Sequence, residues 1–152
     1  MTTYRTVLLA YDGSDTGRRA LLEGAHMLHL CQAKLHLLAV APIAAGIYLT
    51  EGYIPDTLQE EENKHFGEIL DEGLAQLRAR GIEAVGHLST GEPVEEISRL
   101  AREISADLIV VGHQRHRTLL ERWWKGSVGA SLIEAAPCSV LIAIEAEREE
   151  TV

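Results

Sequence analysis

Gly126-Ser127-Val128 is the tripeptide whose residue types most directly suggest chemistry. A glycine lets a ligand approach the main chain, a serine hydroxyl can donate to an oxygen, and unpaired N–H groups at a helix start attract phosphate. The loop before it, His113 to Gly126, carries Arg115, Arg117, Arg122 and Lys125 against Glu121. Four bases against one acid leave a net +3, in a chain whose formal charge is −9. A basic loop ahead of a helix start in an otherwise acidic protein is chemistry for an anion. A plain helix cap beside a solvated loop is the alternative.

Other candidates carry less. Asp12-Gly13-Ser14 puts an acceptor and a hydroxyl at the end of the first apolar run. His113-x-x-His116 and His26-x-x-His29 have workable metal spacing, but no local carboxylate or cysteine completes either set. His36 and His87 fall within strand-like runs and read as packed or surface residues. Trp123-Trp124 reads first as packing, with a partner surface as the alternative. Cys31 and Cys138 match no metal spacing and read as two buried, reduced thiols, with pairing to each other as the alternative. Enzyme signatures are missing: there is no Gly-x-x-x-x-Gly-Lys-Ser/Thr loop, no Gly-x-Ser-x-Gly elbow and no Gly-x-Gly-x-x-Gly after the first run. A phosphorylated receiver domain is excluded as well, because Asp12 stands alone before Gly13 and no lysine follows Pro137.

These residues have to be held by something, and the apolar pattern says what. Val7 to Tyr11, Leu35 to Val40, residues 83–88, Asp107 to Gly112 and Ser139 to Ile144 are compact β-like runs. Runs this continuously apolar are covered on both faces, as in parallel sheets. Helical stripes alternate with them. Leu21, Ala25 and Leu28 follow a cap at Ser14 or Asp15, and Phe66, Ile69, Leu70, Leu74 and Leu77 share a second face. Val94, Ile97, Leu100, Ala101 and Ile104 form a third stripe, entered through Gly91-Glu92-Pro93, where proline suits a first turn. A last helix is expected from about Ser127 to Ala136. The acidic run Glu60 to Glu62 is expected in the first turns of the second helix, facing its dipole. Alternating β and α elements imply parallel strands joined by right-handed crossovers, with ligands beyond the strand carboxyl ends where the order reverses.

The 152 residues, 46% of them hydrophobic, suit one compact domain spanning 1–152. An excess of acid argues against nucleic acid and anionic membrane as partners. No apolar run approaches the ~20 residues of a membrane helix, and the start of the chain lacks a secretion pattern. A cytoplasmic location is the expectation.

The pieces together resemble the universal stress protein family across essentially the whole chain. Val7 to Ser14 is similar to the family's opening strand and adenosine-facing turn. Gly91-Glu92-Pro93 with Ile97 is similar to its entry to the third helix, Ala106 to Gly112 to its fourth strand, and Gly126 to Ile142 to its closing segment. The resemblance implies an α/β fold: a five-stranded parallel sheet of order 3-2-1-4-5 with helices on both faces, adenine nucleotide alpha hydrolase-like and Rossmann-like. One branch of the family binds ATP through Gly-x-x-Gly-x9-Gly-Ser/Thr, and another lacks both motif and nucleotide. Here Gly112 is present, Arg115 occupies the second glycine position, and ten residues separate Arg115 from Gly126.

Carried over by position, the resemblance implies that Ala10 and Tyr11 line the nucleoside and that Asp12 accepts from ribose. Val40 would meet adenine through its main chain, and Gly112, Gly126, Ser127 and Val128 would cradle phosphates, with Arg115 able to clamp an oxygen. It also implies ATP as a ligand, with Mg²⁺, and a homodimer paired through Val140 to Ile144. Three functions follow: a stress-response regulator that binds an adenine nucleotide as a conformational ligand, a nucleotide-free dimeric module contacting a protein partner, and an enzyme on an adenylyl-type molecule. The first is the leading expectation. No residue here is a persuasive general base, so the chain is not expected to be an enzyme.

Overall fold

In the computed structural model, residues 3–43, 56–113 and 128–144 are described. Strand β1 (Thr6–Ala10) leads into helix α1 (Asp15–Cys31), then β2 (Lys34–Ala41), α2 (Asp56–Ala79) and β3 (Ala84–Thr90). Helix α3 (Pro93–Glu103), β4 (Leu108–His113), α4 (Val128–Ala135) and β5 (Ser139–Ile144) complete the order. The strands form one sheet, β3-β2-β1-β4-β5, with every pair parallel. The order expected from the resemblance is therefore the order observed.

Strand alternation sorts the core into two layers. Val7, Leu9 and Tyr11 point to α1 and α2, where Ala20, Leu21, Phe66, Ile69, Leu70 and Leu77 pack. Leu8 and Ala10 point to the opposite layer, built on Val94, Ile97, Leu100 and Ala101 of α3 and Leu132 of α4. Cys31 joins the first layer and Cys138 the second, so the sheet lies between the two thiols. Both are free and only half-buried, a correction to the expectation of buried thiols.

The helix starts follow their capping residues. Ser14 caps α1, its Oγ accepting from Gly17 N at 3.0 Å. Glu92 caps α3, accepting from Glu95 N at 2.9 Å, with Pro93 in the first turn. Helix α2 begins at Asp56, so Glu60 to Glu62 sit in its second turn, beyond the strongest reach of the dipole. At the amino edge, Asp107 fixes the stagger of β1 against β4, accepting from Arg5 N at 2.8 Å and Thr6 N at 3.0 Å.

Candidate functional site

The strand order reverses between β1 and β4. The chain builds β1, β2 and β3 in one direction, then crosses back to place β4 on the far side of β1. A crevice at the carboxyl edge results wherever helices diverge from such a reversal. Leu9 pairs with Val110, so two residues on, Tyr11 and Gly112 stand at the same level, with Asp12 just beyond.

Asp12 is held in place by the cap of the helix that follows. Its Oδ1 accepts from Ser14 N at 2.9 Å and from Ser14 Oγ at 2.5 Å, and Ser14 Oγ lies 3.0 Å from Thr16 Oγ1. One carboxylate oxygen is thus committed to the turn, which orients the group at the edge of the sheet.

Val40 belongs to the same edge through its main chain. The β1–β2 ladder closes with Tyr11 N donating to Leu38 O at 2.9 Å, while Ala41 O accepts from Gly91 N on the other side at 3.0 Å. In-plane groups alternate along a strand. Val40 therefore turns its N–H and C=O toward β1, past the point where β1 has ended. Its side chain is fully buried in the α3 layer.

Two of the expected residues have a structural duty besides. The Tyr11 ring is fully buried between α1 and α2, and only its main chain reaches the edge. Its hydroxyl lies 3.5 Å from Glu72 Oε1, and Arg18 bonds the same carboxylate oxygen at 3.3 Å. Burial first, then the negative charge of Glu72, pushes the phenol pKa up, with Arg18 opposing. Gly112 faces the first turn of α1: a Cβ there would run into the Thr16 carbonyl, well inside van der Waals contact. The missing side chain lets α1 begin directly over the end of β4. Ala10 is buried at the β1 terminus.

Arg115, Gly126 and Ser127 lie outside the described residues, as do Trp123-Trp124, His116 and the tail from Glu145. Val128 is the first residue of α4. Among the described residues no three His, Cys, Asp or Glu side chains group as a metal site, and no helix is long and apolar enough to cross a membrane. Sequence reasoning missed the Tyr11–Glu72–Arg18 cluster. One signal was present: Gly73, in mid-helix where glycine costs stability, leaves room for the Tyr11 ring and Leu37, each 2.8 Å from where its Cβ would stand.

The sequence model described as the universal stress protein family matches residues 3–143. The chain belongs to the universal stress protein family. It is 31% identical over 147 residues to the universal stress protein YxiE of Bacillus subtilis, covering 91% of this chain and 98% of that one. A universal stress protein solved in complex with cAMP is 28% identical, with a TM-score of 0.66, over 93% of this chain and 98% of that chain. The universal stress protein of Archaeoglobus fulgidus in complex with dAMP is 25% identical, also at a TM-score of 0.66, with the same coverage of both chains. The family thus fits the five-stranded order β3-β2-β1-β4-β5.

Proposed function

We propose that this chain is a cytoplasmic stress-response regulator that binds an adenine nucleotide between the carboxyl ends of β1 and β4 as a conformational ligand. The observation that carries the reading is the edge itself: Asp12 held by Ser14 beside Val40, whose main-chain groups face past the end of β1. Support comes from the relatives in complex with cAMP and dAMP. Asp12 accepts from a ribose hydroxyl, Val40 meets the adenine edge, and the main chain of Ala10 and Tyr11 lines the nucleoside. The phosphates go to the start of α4, with Gly126, Ser127 and Val128 as the cradle and Arg115 secondary. ATP belongs to the same ligand class. Its Mg²⁺ would enter on the phosphates, keeping several waters, as this ion does where no protein cage is built.

The nucleotide acts as a ligand whose different affinity for two states shifts their populations. In this reading it is held and not turned over: among the described residues Asp12 is the carboxylate at this edge, its Oδ1 is taken by Ser14, and its role is to accept from ribose. Calorimetric titration with AMP, cAMP and MgATP tests the reading. Asp12→Ala should weaken binding about ten- to a hundredfold, the loss of a hydrogen bond to a charged acceptor. No heat and no thermal shift at millimolar nucleotide would instead favour the nucleotide-free module, to which Arg115 in the second glycine position points.

We also propose a homodimer through Val140 to Ile144. Among the described residues strand β5 is a sheet edge with one neighbour, β4, and Ile144 is 40% exposed at its end. An uncharged edge of this kind invites pairing across a two-fold axis. Ile144→Lys should move the sedimentation profile toward monomer at roughly tens of micromolar. A wild type that already sediments as monomer at that concentration overturns the proposal.

A further inference from the structure

Among the described residues, strand β3 is the other edge of the sheet, paired with β2 alone. Its outer positions give little apolar grip, since Val85 is 40% and Leu88 44% exposed. On the α3 side of the sheet, however, the two strands share a side-chain contact. His36 of β2 stands diagonally from His87 of β3, whose direct partners are Val85 and Leu38 respectively. His36 Nδ1 lies 2.9 Å from His87 Nε2, with the ring centroids 5.2 Å apart and 22° between the ring planes, so the two rings meet edge to edge. His36 is almost fully buried.

We propose that His36 and His87 form a proton-sensitive clasp that holds edge strand β3 to β2 while the pair carries at most one proton beyond neutrality, and that releases β3 when both rings are charged. The chemistry is a count of donors and acceptors. An N–H···N bond needs one nitrogen with a proton and one with a lone pair. Two neutral imidazoles satisfy it, and so does an imidazolium facing a neutral ring. Two imidazoliums cannot, because both nitrogens then carry protons and both rings carry charge.

The surroundings favour the neutral pair. Burial lowers the pKa of both rings; His87 and then Lys34, two residues earlier on β2, lower that of His36 further. Across the interface, α3 presents Glu96, Arg99 and Glu103. Among the described residues Glu103 opposes, pulling His87 upward, but its carboxylate is bound by Arg99 at 3.0 Å. Arg99 also bonds Glu96 at 2.7 Å and reaches Ser89 beside His87 at 3.4 Å. Folded rings with lowered pKa values bind protons less readily than the unfolded chain does. The clasp is therefore fully present above the ordinary histidine value near 6.5 and is lost as pH falls through the lower folded values. Two rings without a third ligand among the described residues make a proton device and not a metal cage.

Release would reach the carboxyl edge. Strand β3 runs into Thr90 and Gly91: Gly91 N donates to Ala41 O at the end of β2 at 3.0 Å, and Thr90 Oγ1 donates to Asn63 Oδ1 of α2 at 3.0 Å.

Hydrogen exchange on the unliganded full chain tests the clasp independently of any nucleotide. After correction for intrinsic rates, exchange across 84–90 should accelerate at least about tenfold from about pH 7.5 to about pH 5, while β1 stays protected. In the double variant His36→Asn, His87→Gln, which keeps amide donors and acceptors near the same positions, the change should stay within about twofold. Equal acceleration in wild type and variant, or in β1 and β3 alike, overturns the proposal. Should the variant fail to fold, imidazole resonances of the wild type decide. Two protonation steps separated by more than about one pH unit are expected, and a single shared step near 6.5 overturns the clasp.

Discussion

Strand β2 lies between two neighbours and buries every residue from Leu35 to Ala41, whereas β3, bound on one side among the described residues, has no fully buried position from Ala84 to Thr90, each being half-buried or exposed. The two strands are joined over seven paired residues, yet they are held by different forces. Strand β2 is fixed by apolar area on both faces, which is insensitive to pH. Strand β3 meets α2 on one side, with Gly86 against Leu70 and Leu74, and on the other its side-chain partners among the described residues are polar: His36 at His87 and Arg99 at Ser89. Burial makes the centre of the sheet a rigid platform for Asp12 and Val40. Partial burial leaves the edge adjustable, and a titratable contact can then decide whether it stays closed.

The largest expected effect lies at the centre. Leu37 is fully buried on β2, between the sheet and the α1–α2 layer, and approaches α2 closely at Gly73. Leu37→Ala should cost about 2–5 kcal/mol of unfolding free energy, the usual result of leaving a cavity in a tightly packed core. Urea unfolding followed by circular dichroism measures it. A loss below about 1 kcal/mol would mean that the layer collapses into the space, and the contrast between rigid centre and loose edge would fail.

The same contrast separates what could be read in the sequence from what could not. The central strands were legible because continuous apolar runs such as Val7 to Leu9 and Ile109 to Val111 belong to strands covered twice over. The caps were legible because Ser14 and Glu92-Pro93 act on their own neighbours. Strand β3 was weaker, expected at 83–88 and found at Ala84–Thr90, since an edge strand is not forced to be apolar. Among the proposed site residues, Asp12 was legible as a group at a strand end. The inward turn of the Tyr11 ring was not, although alternation from Val7 and Leu9 would have given it. The close approach of Thr16 to Gly112 and the meeting of His36 with His87 depend on distances and register between segments far apart in the chain. No local pattern encodes those.

The smallest effect is expected at the edge, and it is the one that sharpens the comparison most. Leu88 sits on the α2-facing side of β3 with its Cδ2 over Gly67, 3.8 Å from where a Cβ on that glycine would be, but 44% of it meets solvent. Truncation there removes a side chain that is already half hydrated, and water can fill the space left, so the cavity penalty of a buried site is absent. Leu88→Ala should therefore cost less than about 1 kcal/mol, a fraction of the Leu37→Ala value, measured under the same urea conditions near neutral pH. If the loss is instead comparable to that at Leu37, apolar contact with α2 holds the edge by itself. The acid sensitivity of β3 should then also be small, because a strand anchored by area would stay paired when both histidines take up protons. A small loss at Leu88 together with acid-accelerated exchange across 84–90 would place the control of this edge in the His36–His87 contact.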